Sequence, residues 1–202
     1  MNHYHRYLKL PFDIKPPKEF DGGGDTVRHM QLAAADQPGM IEPSEYMPEV
    51  NEWFESLGLK FMRVDCFYTP PQGKLGIHTD LPFFSHHAKI NITWGPEEGV
   101  IRWWHSDNVR QHEITESNEH TSAYHDNLWA EEEESRLIWE ANTNKPSLVN
   151  VGMLHSTYNP TNERRWTLCL TPTLRYNIPD YPLRLIPWDM ATMIFNDYIV
   201  NE

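Results

Sequence analysis

The chain has 202 residues, 17 of them Lys or Arg against 29 Asp or Glu, for a formal charge of −12. That length suits one domain with a core of its own, and 8 Trp, 9 Tyr and 8 Phe exclude a disordered polymer. The acidic balance repels phosphate backbones, so nucleic acid is not an expected partner.

Residues 1–40 read as mostly irregular, with a short strand at "YLKLPF" and a Pro/Gly loop at "KPPKEFDGGGD". The stretch "EPSEYMPEVNEWFESLG" predicts one helix, with Ser44 as N-cap and an apolar stripe of Met47, Val50, Trp53, Phe54 and Leu57. Gly58 follows as its stop. From Leu59 the period changes. "LKFMRVDCFY" predicts a strand that ends at Pro70-Pro71. "AKINITWG" and "GVIRWW" predict two more, with "GPEEG" between them as a hairpin connection.

Residues 105–145 are polar and charged and predict an insertion, partly helical around Leu128 to Glu140. "PSLVNVGMLHSTYN" and "RRWTLCLTPTLRY" then predict two neighbouring strands joined by the turn-rich "NPTNE". The tail "IPWDMATMIFNDYIV" predicts a helix packed on the outside. Cys66 and Cys169 lie in apolar stretches and are expected as buried thiols, which fits a reducing cytoplasm. With no apolar leader or span, no membrane is expected. Together these predict a single domain over 1–202, with a core of about 59–175. Its fold class is mainly β, a sandwich or barrel braced by helices.

Chemistry concentrates at "IHTDL". On an extended strand or its end, His78 and Asp80 point the same way. Two histidines and one carboxylate commonly hold Fe(II) on one face, leaving the other face for substrate and oxygen. His155, inside the strand-like "LVNVGMLHSTY", is the best third ligand. Ten residues beyond it stands Arg165, whose guanidinium can hold a carboxylate bidentately. Arg164 is its rival. Alternation lets only one of the two face inward, and the spacing favours Arg165.

The series "H-T-D", then "H-S-T-Y-N-P-T-N-E-R-R", resembles the His-x-Asp…His…Arg signature of the Fe(II)/2-oxoglutarate-dependent oxygenases. Its spacing is similar to the aspartyl/asparaginyl and prolyl hydroxylase branches. The resemblance implies a double-stranded β-helix, or jelly roll, with His78, Asp80 and His155 as iron ligands. It implies Arg165 as partner of the far 2-oxoglutarate carboxylate, with O2 as the other co-substrate. Retention of Asp80 points to hydroxylation rather than halogenation. Tyr68 stands where such enzymes often place a phenol on the cosubstrate; a core tyrosine is the equal alternative. Asn91 either touches 2-oxoglutarate or bonds backbone, with backbone slightly favoured.

The expected activity is hydroxylation of a C–H bond in an amino acid, peptide or small molecule. The alternatives are a cupin-type metal enzyme without 2-oxoglutarate, or a non-catalytic jelly-roll binding module. The loop 81–88 and the insertion 105–145 are expected to line the entrance. Neither substrate nor oligomeric state is readable from the residues.

Overall fold

A computed structural model describes residues 2–17, 24–80, 86–111, 128–175 and 185–200. Among these residues, twelve strands fall into two six-stranded sheets whose ladders are all antiparallel. They are β1 (His5–Tyr7), β2 (Arg28–Ala34), β3 (Leu59–Thr69), β4 (Lys74–His78), β5 (Ala88–Trp94) and β6 (Val100–Ser106). The second half holds β7 (Arg110–Gln111), β8 (Leu128–Ala130), β9 (Ser135–Asn142), β10 (Ser147–Asn150), β11 (His155–Tyr158) and β12 (Arg165–Leu174).

The first sheet has the order β1-β10-β5-β12-β3-β2 and the second β7-β8-β4-β11-β6-β9. From β3 onward the chain crosses repeatedly between the sheets, so that β3, β5, β10 and β12 face β4, β6, β9 and β11. That is the strand order of a double-stranded β-helix, as expected.

Three short helices brace the first sheet: α1 (Pro43–Tyr46), α2 (Pro48–Ser56) and α3 (Trp188–Ile194). Alternation along each strand divides the side chains between two environments. On β12, Trp166, Leu168 and Leu170 pack against the helices with Trp53, Phe54, Trp188 and Phe195, in the largest apolar cluster. Arg165, Thr167 and Cys169 take the opposite phase, toward the second sheet. The largest core therefore lies outside the β-helix, between its first sheet and the helices. The interior is left for a smaller cluster around Trp103 and for polar groups.

Several local expectations are corrected. The helix over 42–58 is two helices: Pro48 opens a second at its first turn, where a missing N–H costs nothing. Ser44 lies inside α1 and caps neither. Gly58 does follow α2, with φ of +75°. "GPEEG" is no hairpin, because β5 and β6 belong to opposite sheets. The helix around 128–140 is β8, a 3-10 turn at Glu132–Glu134 and β9, since "RLIWEAN" completes the edge of the second sheet against β6. The strand over 146–159 is two, β10 and β11, one in each sheet. Cys66 and Cys169 are buried thiols, as expected.

Candidate metal centre

His78 ends β4 and His155 begins β11, and the two are direct partners in the second sheet. Their ring centroids lie 4.5 Å apart. Each ring is held by a carbonyl two residues earlier: Nδ1 of His78 donates to the Gly76 carbonyl at 2.8 Å, and Nδ1 of His155 to the Met153 carbonyl at 2.9 Å. A carbonyl only accepts, so Nδ1 carries the proton in both rings and Nε2 keeps its lone pair. Both Nε2 atoms face one oxygen of Asp80: Oδ1 is 3.4 Å from His78 and 3.6 Å from His155. The Asp80 backbone N–H, bound to the Val151 carbonyl at 3.0 Å, fixes the turn that brings the carboxylate round.

These three side chains offer ligand atoms all within 4.8 Å of one another. Donors about 2.1 Å from one ion on a single octahedral face are about 3 Å apart, and the two Nε2–Oδ1 distances lie within a few tenths of an ångström of that spacing. The electrostatics suit a cation. Burial would raise the Asp80 carboxyl, but the Lys89 ammonium beside it holds it well below the usual carboxylate range. Burial, with His78 beside it, lowers His155 to about 4, so the ring is neutral and able to ligate near neutral pH.

Beneath the triad lies a cavity of about 40 Å³. Thr157, Ile101 and Leu75 of the second sheet line it, with Phe67, Thr69, Asn91, Thr167 and Cys169 of the first. Asn91 thus reaches the site, and its buried Oδ1 has no protein partner among the described residues.

Arg165 sits one step deeper, beside Thr69 in the β3–β12 ladder, and is 2% exposed. Its Nη2 donates to Thr143 Oγ1, and its Nε has no partner among the described residues. Burial lowers its pKa to about 10, and among the described residues no carboxylate pairs with it to offset the cost. A Cβ on Gly99 would collide with that guanidinium, so the floor of the barrel is shaped to admit it. Arg164 is exposed, which settles which of the two arginines faces inward. The reason differs from the expected one: β11 and β12 are not neighbours but lie in opposite sheets, and Arg165 approaches from across the barrel.

Tyr68 is not brought to the cavity. It has the opposite phase on β3 from Phe67 and Thr69, packs on Trp166 with centroids 4.6 Å apart, and donates its hydroxyl to the Gly24 carbonyl. Of the expected entrance, residues 81–85 and 112–127 lie outside the described residues. His105 is exposed beside Asp107, whereas His87 is fully buried.

One charged group escaped the sequence reading. Lys89 of β5 crosses from the first sheet and donates Nζ to Asp80 Oδ2 at 2.6 Å. Burial works against its charge, and Asp80 and Asp65 more than reverse that, so its pKa is raised. The signal was present: Lys89 is the one ionisable residue of "AKINITW" and shares the phase of Asn91.

No family model matches the chain, and no curated protein does. Among solved structures the chain is similar to EvdO2 from Micromonospora carbonacea var. aurantiaca, at 12% identity over 81% of this chain and 74% of that one, with a TM-score of 0.40. It is similar to E. coli ycfD at 13% identity, over 96% of this chain and 56% of that one, with a TM-score of 0.39. A 2OG-Fe(II) oxygenase family oxidoreductase from Burkholderia pseudomallei matches at 12% identity over 71% of this chain and 65% of that one, with a TM-score of 0.39. Likeness at that level carries no chemistry across.

Proposed function

We propose that the chain is an Fe(II)- and 2-oxoglutarate-dependent dioxygenase that hydroxylates a C–H bond of an amino acid, peptide or small molecule. The observation that carries the reading is Arg165: a buried guanidinium without a carboxylate, on the interior side of the barrel one ladder step below the cavity under a His-Asp-His set. A buried cation is costly unless something anionic completes it. A dicarboxylate that reaches from the metal to the barrel floor would do so.

In this reading His78 and His155 present neutral Nε2 donors and Asp80 presents one anionic oxygen. Arg165 takes the far carboxylate, and Asn91 lines the cavity with a buried Oδ1 that is unbonded among the described residues. Phe67, Ile101 and Val151 wall the site with apolar surface and limit water beside the metal. Fe(II) with 2-oxoglutarate and O2 would supply the oxidising chemistry, with succinate and CO2 as co-products.

One observation favours a second reading. At about 40 Å³ the cavity holds little more than one water. A five-carbon diacid enters only as Arg165 leaves Thr143 or the aliphatic walls part. A metal enzyme that takes no 2-oxoglutarate would need no such movement. Anaerobically purified protein loaded with Fe(II) separates the two on exposure to O2. Succinate formed from 2-oxoglutarate, absent in Asp80→Ala, supports the first reading; oxygen uptake indifferent to 2-oxoglutarate supports the second.

A further inference from the structure

We propose that Lys89 is a positioning residue that limits Asp80 to a single metal-ligating oxygen and thereby keeps a coordination position open. The proposal rests on the metal-centre reading above.

The two oxygens of Asp80 are divided between two sheets. Oδ1 faces the histidine Nε2 atoms of the second sheet at 3.4 and 3.6 Å. Oδ2 is held by the Lys89 Nζ of the first sheet at 2.6 Å. Both partners are largely buried, with 15% of each side chain exposed, so water does not compete freely for either oxygen. A carboxylate free to rotate can chelate an ion with both oxygens. Here rotation into that pose would break a short, charge-assisted hydrogen bond inside the barrel.

The consequence is a count of positions. Six-coordinate iron held by two nitrogens and one oxygen keeps three positions open. A chelating cosubstrate uses two and oxygen the third. If Asp80 chelated, one of these would be lost. Lys89 also adds one positive charge next to the metal's carboxylate, and Asp65 stands near enough to keep that charge in place.

The site also explains why a lysine is tolerated in this strand. Its neighbours in sequence, Ala88 and Ile90, are buried against the helices, and Lys89 takes the opposite phase, where it meets Asp80. Other groups that face Lys89 are Cys169, His87 and His155, none of them an anion near neutral pH. Asp80 is the carboxylate within bonding distance of Nζ among the described residues.

The test uses Co(II), whose visible spectrum reports coordination number, in wild type, Lys89→Met and Lys89→Arg. Wild type and Lys89→Arg should share one spectrum, and both should bind 2-oxoglutarate. Lys89→Met should show an altered spectrum and weaker metal or 2-oxoglutarate binding, by about 10–100-fold, as for other supports of metal ligands. An unchanged spectrum and unchanged affinities in Lys89→Met overturn the proposal.

If Lys89→Met does not fold, X-ray absorption on the Co(II) wild type decides. One carboxylate oxygen without the short metal–carbon distance of a chelate supports the assignment, and a chelating carboxylate overturns it. Wild type that binds no Co(II), or binds it equally well after His155→Ala, overturns the metal centre itself. That failure is visible without any Lys89 variant.

Discussion

His78 and His155 stand opposite each other in the β4–β11 ladder, and each ring is braced by the carbonyl two residues before it in the chain. The repetition means that neither ring depends on the metal for its orientation. Preorganisation of this kind sets the ligands before the ion arrives.

The first prediction follows from that brace. His155→Ala should abolish stoichiometric Fe(II) binding by titration calorimetry, because two donors remain where three converged. Its fold should survive, since the ring's one bond within the protein is to a local carbonyl. Binding retained at the wild-type level would remove His155 from the ligand set.

Arg165 and Arg164 should separate cleanly. Arg165→Met should weaken 2-oxoglutarate binding by at least about tenfold, the loss of one charge-assisted pair at about 1.5–3 kcal/mol. Arg164→Met should leave it unchanged, since that side chain is exposed. Isothermal titration with each variant reads the difference. Equal losses in both would contradict the anchor.

Gly99 is bound to the same argument. Gly99→Ala drives a methyl into the Arg165 guanidinium, an overpacking cost of about 1–3 kcal/mol. The melting temperature should fall by about 2–4 °C for each kcal/mol. The double variant Gly99→Ala/Arg165→Met should regain part of that loss, because the collision goes with the guanidinium.

Fold and site were legible in unequal parts. His155 stands out as a polar residue in an apolar, strand-like run, whereas His78 and Asp80 are paired by their spacing of two and Arg165 by its place ten residues beyond His155. For Asn91 a backbone bond is the slightly favoured expectation; the side chain lines the cavity, with its Oδ1 unbonded among the described residues. Strand pairing was not legible, because a jelly roll pairs residues far apart in sequence: "GPEEG" looks the same whether its flanking strands pair or cross between sheets. Tyr68 failed by one residue of register. Its neighbour Phe67 took the interior phase, and the period of two sends the phenol to the helix side. The helix over 128–140 failed because "AEEEESRLIWEAN" has good helix formers, and an edge-strand position in the second sheet overrode propensity.

Acid should weaken the fold before carboxylates titrate fully. His5 and His155 are lowered to about 4 and His87 to about 3, each chiefly by burial. Unfolded histidines take up protons near 6.5, whereas these rings stay neutral in the fold until well below that. The unfolded state therefore binds more protons as pH falls from about 6.5 towards 4, and stability drops by up to about 1.4 kcal/mol per pH unit for each ring. His5 lies away from the metal centre and contacts Tyr7 and Trp103. Urea unfolding of apoprotein should show the slope, and His5→Gln should flatten it. A flat profile between pH 6.5 and 4.5 would contradict the assigned burial.

The most direct test of the account is the visible spectrum of the anaerobic Fe(II) protein on adding 2-oxoglutarate. Chelation of Fe(II) by the keto acid gives a metal-to-ligand charge-transfer band. The account predicts that band in wild type and in Arg164→Met, a much higher 2-oxoglutarate concentration to develop it in Arg165→Met, and none in His155→Ala. Wild-type protein that binds Fe(II) at one per chain and develops no band at saturating 2-oxoglutarate would contradict it.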